Sequence, residues 1–258
     1  MNQTTIIFSN QKGGVGKTTL SRELGCYLAS RGSRLLFVDC DPQANLTRSL
    51  IEDEASAGLY EALTTDEVPP PVELSPHLSL LPGSYSLAVL EKSLIGEIDA
   101  YTRLRGLLRN PAFAGYRYIF LDTPPSLGVL TVNGLTAADY LVVPMNPSLY
   151  SMQGTNDLFK TVSKVRANLN PALALLGVII NSFNNIPVIT RQIRSEIEES
   201  FGDKVFPDVL SRSIKIEESI ALKQGVIFHQ KLDKSRAREE VCLLGDELLR
   251  RLAAPAVV

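Results

Sequence analysis

The chain has 258 residues, 45% of them hydrophobic and 21% charged, with a formal net charge of −2 at pH 7. This allows a substantial core in one large domain or two small ones, and it excludes a globally basic protein whose field alone would draw in nucleic acid. No apolar run approaches the ~20 residues of a membrane span, and Cys26, Cys40 and Cys242 form neither a CxxC pair nor a metal-ligand spacing, as suits a reducing cytosol.

The first apolar run, "TTIIFS" (4–9), begins within five residues of Met1. This leaves no room for a signal peptide, and a soluble intracellular protein is expected. That run, "RLLFVD" (34–39), "LSLLP" (78–82), "YRYIFLD" (116–122), "YLVVP" (140–144) and "LALLGVIIN" (173–181) read as strands buried on both faces. Between the first two, residues 17–31 read as a helix stopped by Gly32. "VPPPVE" (68–73) reads as a stiff surface loop. Further helices are predicted over 149–168 and 187–201. The second opens on Pro187 and spaces Ile189, Ile193, Ile197 and Phe201 four apart.

The last helix, about 234–252, carries Val241, Leu244, Leu248 and Leu252 on one stripe, read as core packing. Arg250 and Arg251 near its end complement the helix dipole. His77 and His229 have no partner pattern and read as structural or solvent-facing. Strand alternating with helix predicts an α/β, doubly wound, mostly parallel sheet flanked by helices, in a single domain over residues 1–258.

Between the first strand and first helix lies "QKGGVGKTT", Gln11 to Thr19. Strand, glycine turn and helix together bind phosphate, because backbone N–H groups converge on the anion at the positive end of the helix. Lys17 is placed to reach β- and γ-phosphates and the Thr18 hydroxyl to ligate magnesium. The strict pattern G-x-x-x-x-G-K-[ST] needs glycine where this chain has Gln11. What stands instead is Lys12-Gly13-Gly14-Val15-Gly16-Lys17-Thr18-Thr19, with a second lysine at the mouth of the loop. "LLFVDCDPQANLT" ends a strand with Asp39 and Asp41, and "YIFLDTPPS" ends another with Asp122. Carboxylates at the C-terminal ends of parallel strands point into the ligand crevice.

These motifs resemble the deviant P-loop, second motif and Walker B strand of the ParA/MinD ATPases, relatives of the nitrogenase iron protein. The resemblance implies a P-loop ATPase using ATP and Mg2+. In it Lys12 would be the signature lysine that crosses to the neighbouring subunit's phosphates in an ATP-sandwich homodimer. Gly13 to Thr19 would hold the nucleotide, with Lys12, Lys17 and Asp41 catalytic. Asp41 would orient the attacking water and, with Pro42, couple hydrolysis to the first switch. Asp122 would hold magnesium through water, Asp39 would stand behind it, and Thr123-Pro124-Pro125 would form the second switch. Asn181, at a strand end, either contacts adenine or satisfies a turn.

The segment "VVPMNPSLYSMQGTNDL" (142–158) also looks like the ParA branch. "SRSIKIEESIALKQGVIFHQ", from Ser211, is divergent: Ser213 replaces the usual asparagine, and Ser219-Ile220 a typical alanine-proline. MinD-type relatives end in an amphipathic membrane helix, whereas here only "AAPAVV" follows the last helix, so no membrane partner is expected. The resemblance therefore implies a cytoplasmic ATPase that binds double-stranded DNA nonspecifically, with a small ParB-like or cargo-adaptor activator, and moves a plasmid, chromosome or protein cargo. A small-molecule kinase or synthetase on the same fold, or a MinD-like positioning ATPase, is the alternative. The residues after Gly128 carry 15 basic against 14 acidic residues. Arg191, Arg194, Arg212, Lys215 and Lys223 are the DNA candidates, each equally readable as a solvated surface charge.

Overall fold

The computed structural model describes residues 3–53, 55–65, 67–148, 151–183, 187–229 and 234–254, giving the backbone alone for 151–154, 182–183 and 187–191. In chain order the elements are β1 (Thr4–Phe8), α1 (Lys17–Ser30), β2 (Leu35–Asp39), α2 (Asn45–Arg48), α3 (Leu59–Thr64), β3 (Val72–Ser75), β4 (Leu78–Leu81), α4 (Ser86–Ser93) and α5 (Arg103–Leu108). There follow β5 (Tyr118–Asp122), α6 (Val129–Ala137), β6 (Tyr140–Met145), α7 (Ser151–Asn168), β7 (Ala174–Phe183), α8 (Pro187–Phe201), β8 (Leu210–Ser211), α9 (Ile214–Ala221) and α10 (Arg236–Ala253).

All six predicted strands are present, and each lies where continuous apolar residues let both faces of the sheet be covered. The strands form one eight-stranded sheet in the order β3-β4-β2-β5-β1-β6-β7-β8. Every pairing is parallel except the β3–β4 hairpin at one edge. One core packs α3 to α8 on one face, through residues such as Leu90, Leu104, Leu130 and Ile197. The other packs α1 and α10 on the opposite face, through Leu24, Leu28, Val241 and Leu248. Of the stripe on the last helix, Val241, Leu244 and Leu248 are buried in this core and Leu252 packs against it half-buried.

Register fixes the site. Phe8 and Asp39 both pair with Asp122, so β1, β5 and β2 end level. Three strand ends at one height place the glycine turn and both acidic loops around one crevice.

The sequence reading needs correction at β3: Val72 and Glu73, assigned to a stiff loop, pair with Leu80 and Ser79. Val68 to Pro71 stay outside the ladder, the three prolines having no N–H to donate to it. Helices α2 to α6 and α9 were not anticipated either. The sequence of α6, "VLTVNGLTA", is apolar on every side and β-branched in part, so it carries no 3.6-residue period to read.

At the far edge, Arg251 of α10 donates to the carbonyls of Leu176, Asp203, Lys204 and Val205 and lies 4.2 Å from the Phe206 ring centroid. The role given to it as a helix-end charge is thus joined by a larger one: it fastens the last helix to β7 and the segment after α8.

Candidate functional site

Three asparagines from different strand ends hold the glycine turn. Asn10 donates to Pro144 O at 2.7 Å, while its side-chain oxygen accepts from Lys12 N at 3.1 Å. Asn146 donates to Gly14 O at 3.0 Å and Asn181 to Val15 O at 2.9 Å. Gly14 (φ 70) and Gly16 (φ 90) take left-handed conformations that favour glycine. A Cβ on Gly16 would meet Asn181 Nδ2 at 1.9 Å. Asn181 thus braces the loop through its amide hydrogen, and it also lines the cavity beside the loop. Asn10 and Asn146 were missed, because asparagines after strands usually signal turns.

The turn, α1 and the acidic strand ends enclose a cavity of about 500 Å³. Gly13, Gly14, Gly16, Lys17, Thr18 and Asp41 line one part of it, and Thr19, Pro125, Asn181 and Ile220 contribute elsewhere. Val15 is buried away from it at 1% exposure. Lys17 is itself buried, its Nζ 3.4 Å from Lys12 O. Burial pulls its pKa down while Asp122 and Asp41 push it back up, so the ammonium is held in a dry site that an anion would complete.

Thr18 Oγ1 donates to Asp122 Oδ2 at 2.7 Å. Asp122 is fully buried, and its Oδ1 has no hydrogen-bond partner among the described residues. Burial, then the charge of Asp39, raises its pKa well above the ordinary value. A hydroxyl beside a carboxylate with one unmet oxygen is a donor set that fits a hard divalent cation. Among the described residues no cluster of three or more His, Cys, Asp and Glu could hold a metal, so a cation here would take its remaining oxygen ligands from phosphate and water.

Asp41 lines the cavity and accepts from Gln43 N at 2.9 Å. Asp39 does not face it. Its Oδ1 accepts from Asp41 N at 3.2 Å, and its Oδ2 accepts from Thr47 N and Thr47 Oγ1 at 2.8 and 2.7 Å. These bonds commit Asp39 to shaping the loop that carries Asp41, while its charge also acts on Asp122, its neighbour in the strand register. The members of the second switch segment differ in exposure. Thr123 donates to Phe8 O at 2.8 Å and is fully buried, Pro124 is buried as well, and Pro125 is the member exposed to the cavity. Pro42, beside Asp41, is half-buried.

Lys12 behaves differently from Lys17. It does not line the cavity, and its Nζ donates to Ser148 Oγ at 2.6 Å.

An AAA domain family model matches residues 3–175. The chromosome partitioning protein ParA of Myxococcus xanthus is 36% identical over 252 residues, covering 95% of this chain and 88% of that protein. The chromosome-partitioning ATPase Soj of Thermus thermophilus is 38% identical over 224 residues, 87% of each. The chain belongs to the ParA/Soj family of partitioning ATPases. Among solved structures, a Mycobacterium smegmatis protein described as cobyrinic acid a,c-diamide synthase, with a bound ATP analogue and magnesium, superposes with a TM-score of 0.86. It is 29% identical, over 98% of this chain and 96% of that one.

The five basic candidates for DNA contact are not alike in the structure. The side chain of Arg191 lies outside the described residues. Arg194 is engaged with Glu198 at 2.6 Å and with Pro207 O at 3.2 Å. Lys215 pairs with Glu218 at 2.8 Å on an exposed helix face. Lys223 donates to Arg48 O at the end of α2. Arg212 is exposed.

Proposed function

We propose that this chain is a ParA-type ATPase that binds ATP with magnesium and closes as a homodimer with nucleotide sandwiched between its subunits. In that state it binds double-stranded DNA nonspecifically, and it is cytoplasmic and nucleoid-associated. A small ParB-like or cargo-adaptor partner then stimulates hydrolysis and release. One observation carries this reading: the loop glycines, Lys17, Thr18, Thr19 and Asp41 all line the cavity, whereas Lys12 does not and is bonded to Ser148 instead. A loop lysine outside its own site is available to a second copy.

Within one subunit the loop N–H groups and Lys17 would cradle the phosphates. Thr18 would ligate magnesium directly and Asp122 through water, and the ion would neutralise charge on the β- and γ-phosphate oxygens. Asp41, half-fixed by Gln43 N, would orient the attacking water. The stripe of α10 is buried against the sheet and α1, which leaves it unavailable as a membrane anchor and disfavours a MinD-like role. No helix among the described residues is long and apolar enough to cross a membrane.

A synthase reading has one observation in its favour, the printed name of the Mycobacterium smegmatis structure. ATP turnover without any small acid substrate distinguishes the two. Slow, magnesium-dependent turnover together with ATP-dependent retention on random DNA is the expected result. Turnover only on adding a small co-substrate would favour the synthase.

A further inference from the structure

Arg22 lies on α1 one turn beyond Thr18 and lines the same cavity. At 1% exposure it is a residue type seldom fully buried unless its donors are met. Nη2 is met: it donates to Glu23 Oε1 and, at 2.5 Å, to Ser219 Oγ. Nε and Nη1 are buried and have no hydrogen-bond partner among the described residues. Nη2 stays anchored to Glu23, so Nε and Nη1 would reach a ligand by a small rotation of the guanidinium about that pair, toward the cavity that Arg22 lines. Glu23 is wholly buried and its Oε2 accepts from Val226 N at 2.8 Å, so moving the guanidinium off it would strand a buried carboxylate.

Two dry donors on an anchored cation call for acceptors from whatever fills the cavity. The position says which part of a ligand that is. Phosphates belong at the N-terminus of α1, around Thr18 and Thr19, and one helical turn is about 5.4 Å. Arg22 is therefore set back from the phosphates by about the width of a sugar. The other cavity residues outside the phosphate loop include Gln43, Asn45, Ser49 and Ile220, which are neutral polar or apolar. A neutral, acceptor-rich group suits this lining better than a further phosphate.

Building on the nucleotide-site reading above, we propose that Arg22 binds the nucleoside moiety of the nucleotide, its Nε and Nη1 hydrogens donating to neutral sugar or base acceptors. Ser219, where the sequence departs from the family pattern, positions the guanidinium for that contact.

The test is calorimetric binding of ATP and of inorganic tripolyphosphate to wild type, Arg22→Lys and the double variant Arg22→Met/Glu23→Gln. Arg22→Lys keeps a cation against Glu23 and so keeps the fold, but it cannot supply both donors. The double variant removes the buried charge pair together. ATP binding should weaken about tenfold in each, with tripolyphosphate binding unchanged. Unchanged ATP affinity in Arg22→Lys would mean that water meets the donors, and would overturn the proposal. Equal loss for both ligands would also overturn it, because Arg22 would then only support the loop. A wild type that binds neither ligand would instead overturn the nucleotide-site reading itself.

Discussion

Lys12 Nζ and Ser148 Oγ form a 2.6 Å hydrogen bond that ties the mouth of the phosphate loop to the segment after β6. Crossing to a second subunit must break that bond. Lys12→Ala should therefore abolish ATP-dependent dimerisation while leaving ATP binding within about threefold, since Lys17 and the loop remain. Ser148→Ala should favour dimerisation by about fivefold, the worth of one part-buried hydrogen bond. Light scattering at several protein concentrations, with and without ATP, reads both. A Lys12→Ala protein that still dimerises would remove the trans role.

Lys17 and Asp41 line one cavity but should fail differently. Lys17→Ala deletes a buried ammonium aimed at phosphate and should lower ATP affinity by at least about tenfold. Asp41→Ala should bind ATP normally and hydrolyse it at least about a hundredfold more slowly, accumulating the dimer. Wild-type turnover in Asp41→Ala would contradict its assignment.

Asp39 gives a pH-dependent signature. Burial lifts its pKa from 3.8 to about 6. Between those values the folded protein binds more protons than the unfolded chain, so this contribution is full below about pH 4 and is lost as pH rises through about 6. Thermal melts of metal-free protein across that window should fall less steeply for Asp39→Asn than for wild type. Thr47→Val, which removes one donor to that carboxylate, should cost roughly 1–3 kcal/mol in urea unfolding and slow hydrolysis without changing ATP affinity.

Ala44, three residues after Asp41, is left-handed at φ 51, a conformation that costs alanine more than glycine. Relief of strain outweighs the extra entropy of glycine in the unfolded chain, so Ala44→Gly should stabilise the protein by about 0.5 kcal/mol. Urea denaturation would detect it, and a destabilised variant would show that the Ala44 methyl packs productively.

The basic candidates should not contribute equally to DNA binding. Arg212→Ala, at an exposed position, should weaken retention on random DNA and flatten the salt slope by about one. Arg194→Ala should do less, because its guanidinium is already held by Glu198 and Pro207. Equal losses would show that the Arg194 pair opens on DNA.

Much of this was legible in the chain. Asp39, Asp41 and Asp122 could be placed because continuous apolar residues before a carboxylate define a buried strand with a polar end. What each carboxylate touches was not. Asp39 turned inward through Thr47, eight residues on, a pairing that depends on how tightly α2 folds back. Arg22 went unnoticed because a charge on a predicted helix reads as solvent-facing, and only Glu23 and Ser219, 196 residues apart in sequence, explain its burial. Helix α6 was missed because apolar residues surround its axis and erase the period, and α4 and α5, at eight and six residues, are too short to show one.

Helix α10 packs its Gly245 directly against Tyr27 of α1, and Tyr27 donates to Asp246. Synthesis runs from the phosphate loop toward α10, so every strand of the sheet is made before this flank of α1 is covered. On the ribosome, the earliest functional motif to emerge is thus among the last to be sealed. A chain that ended before α10 would leave exposed the apolar side of the helix that carries Lys17 and Thr18. A stalled or truncated product is therefore expected to be cleared as a folding intermediate and not to compete for nucleotide.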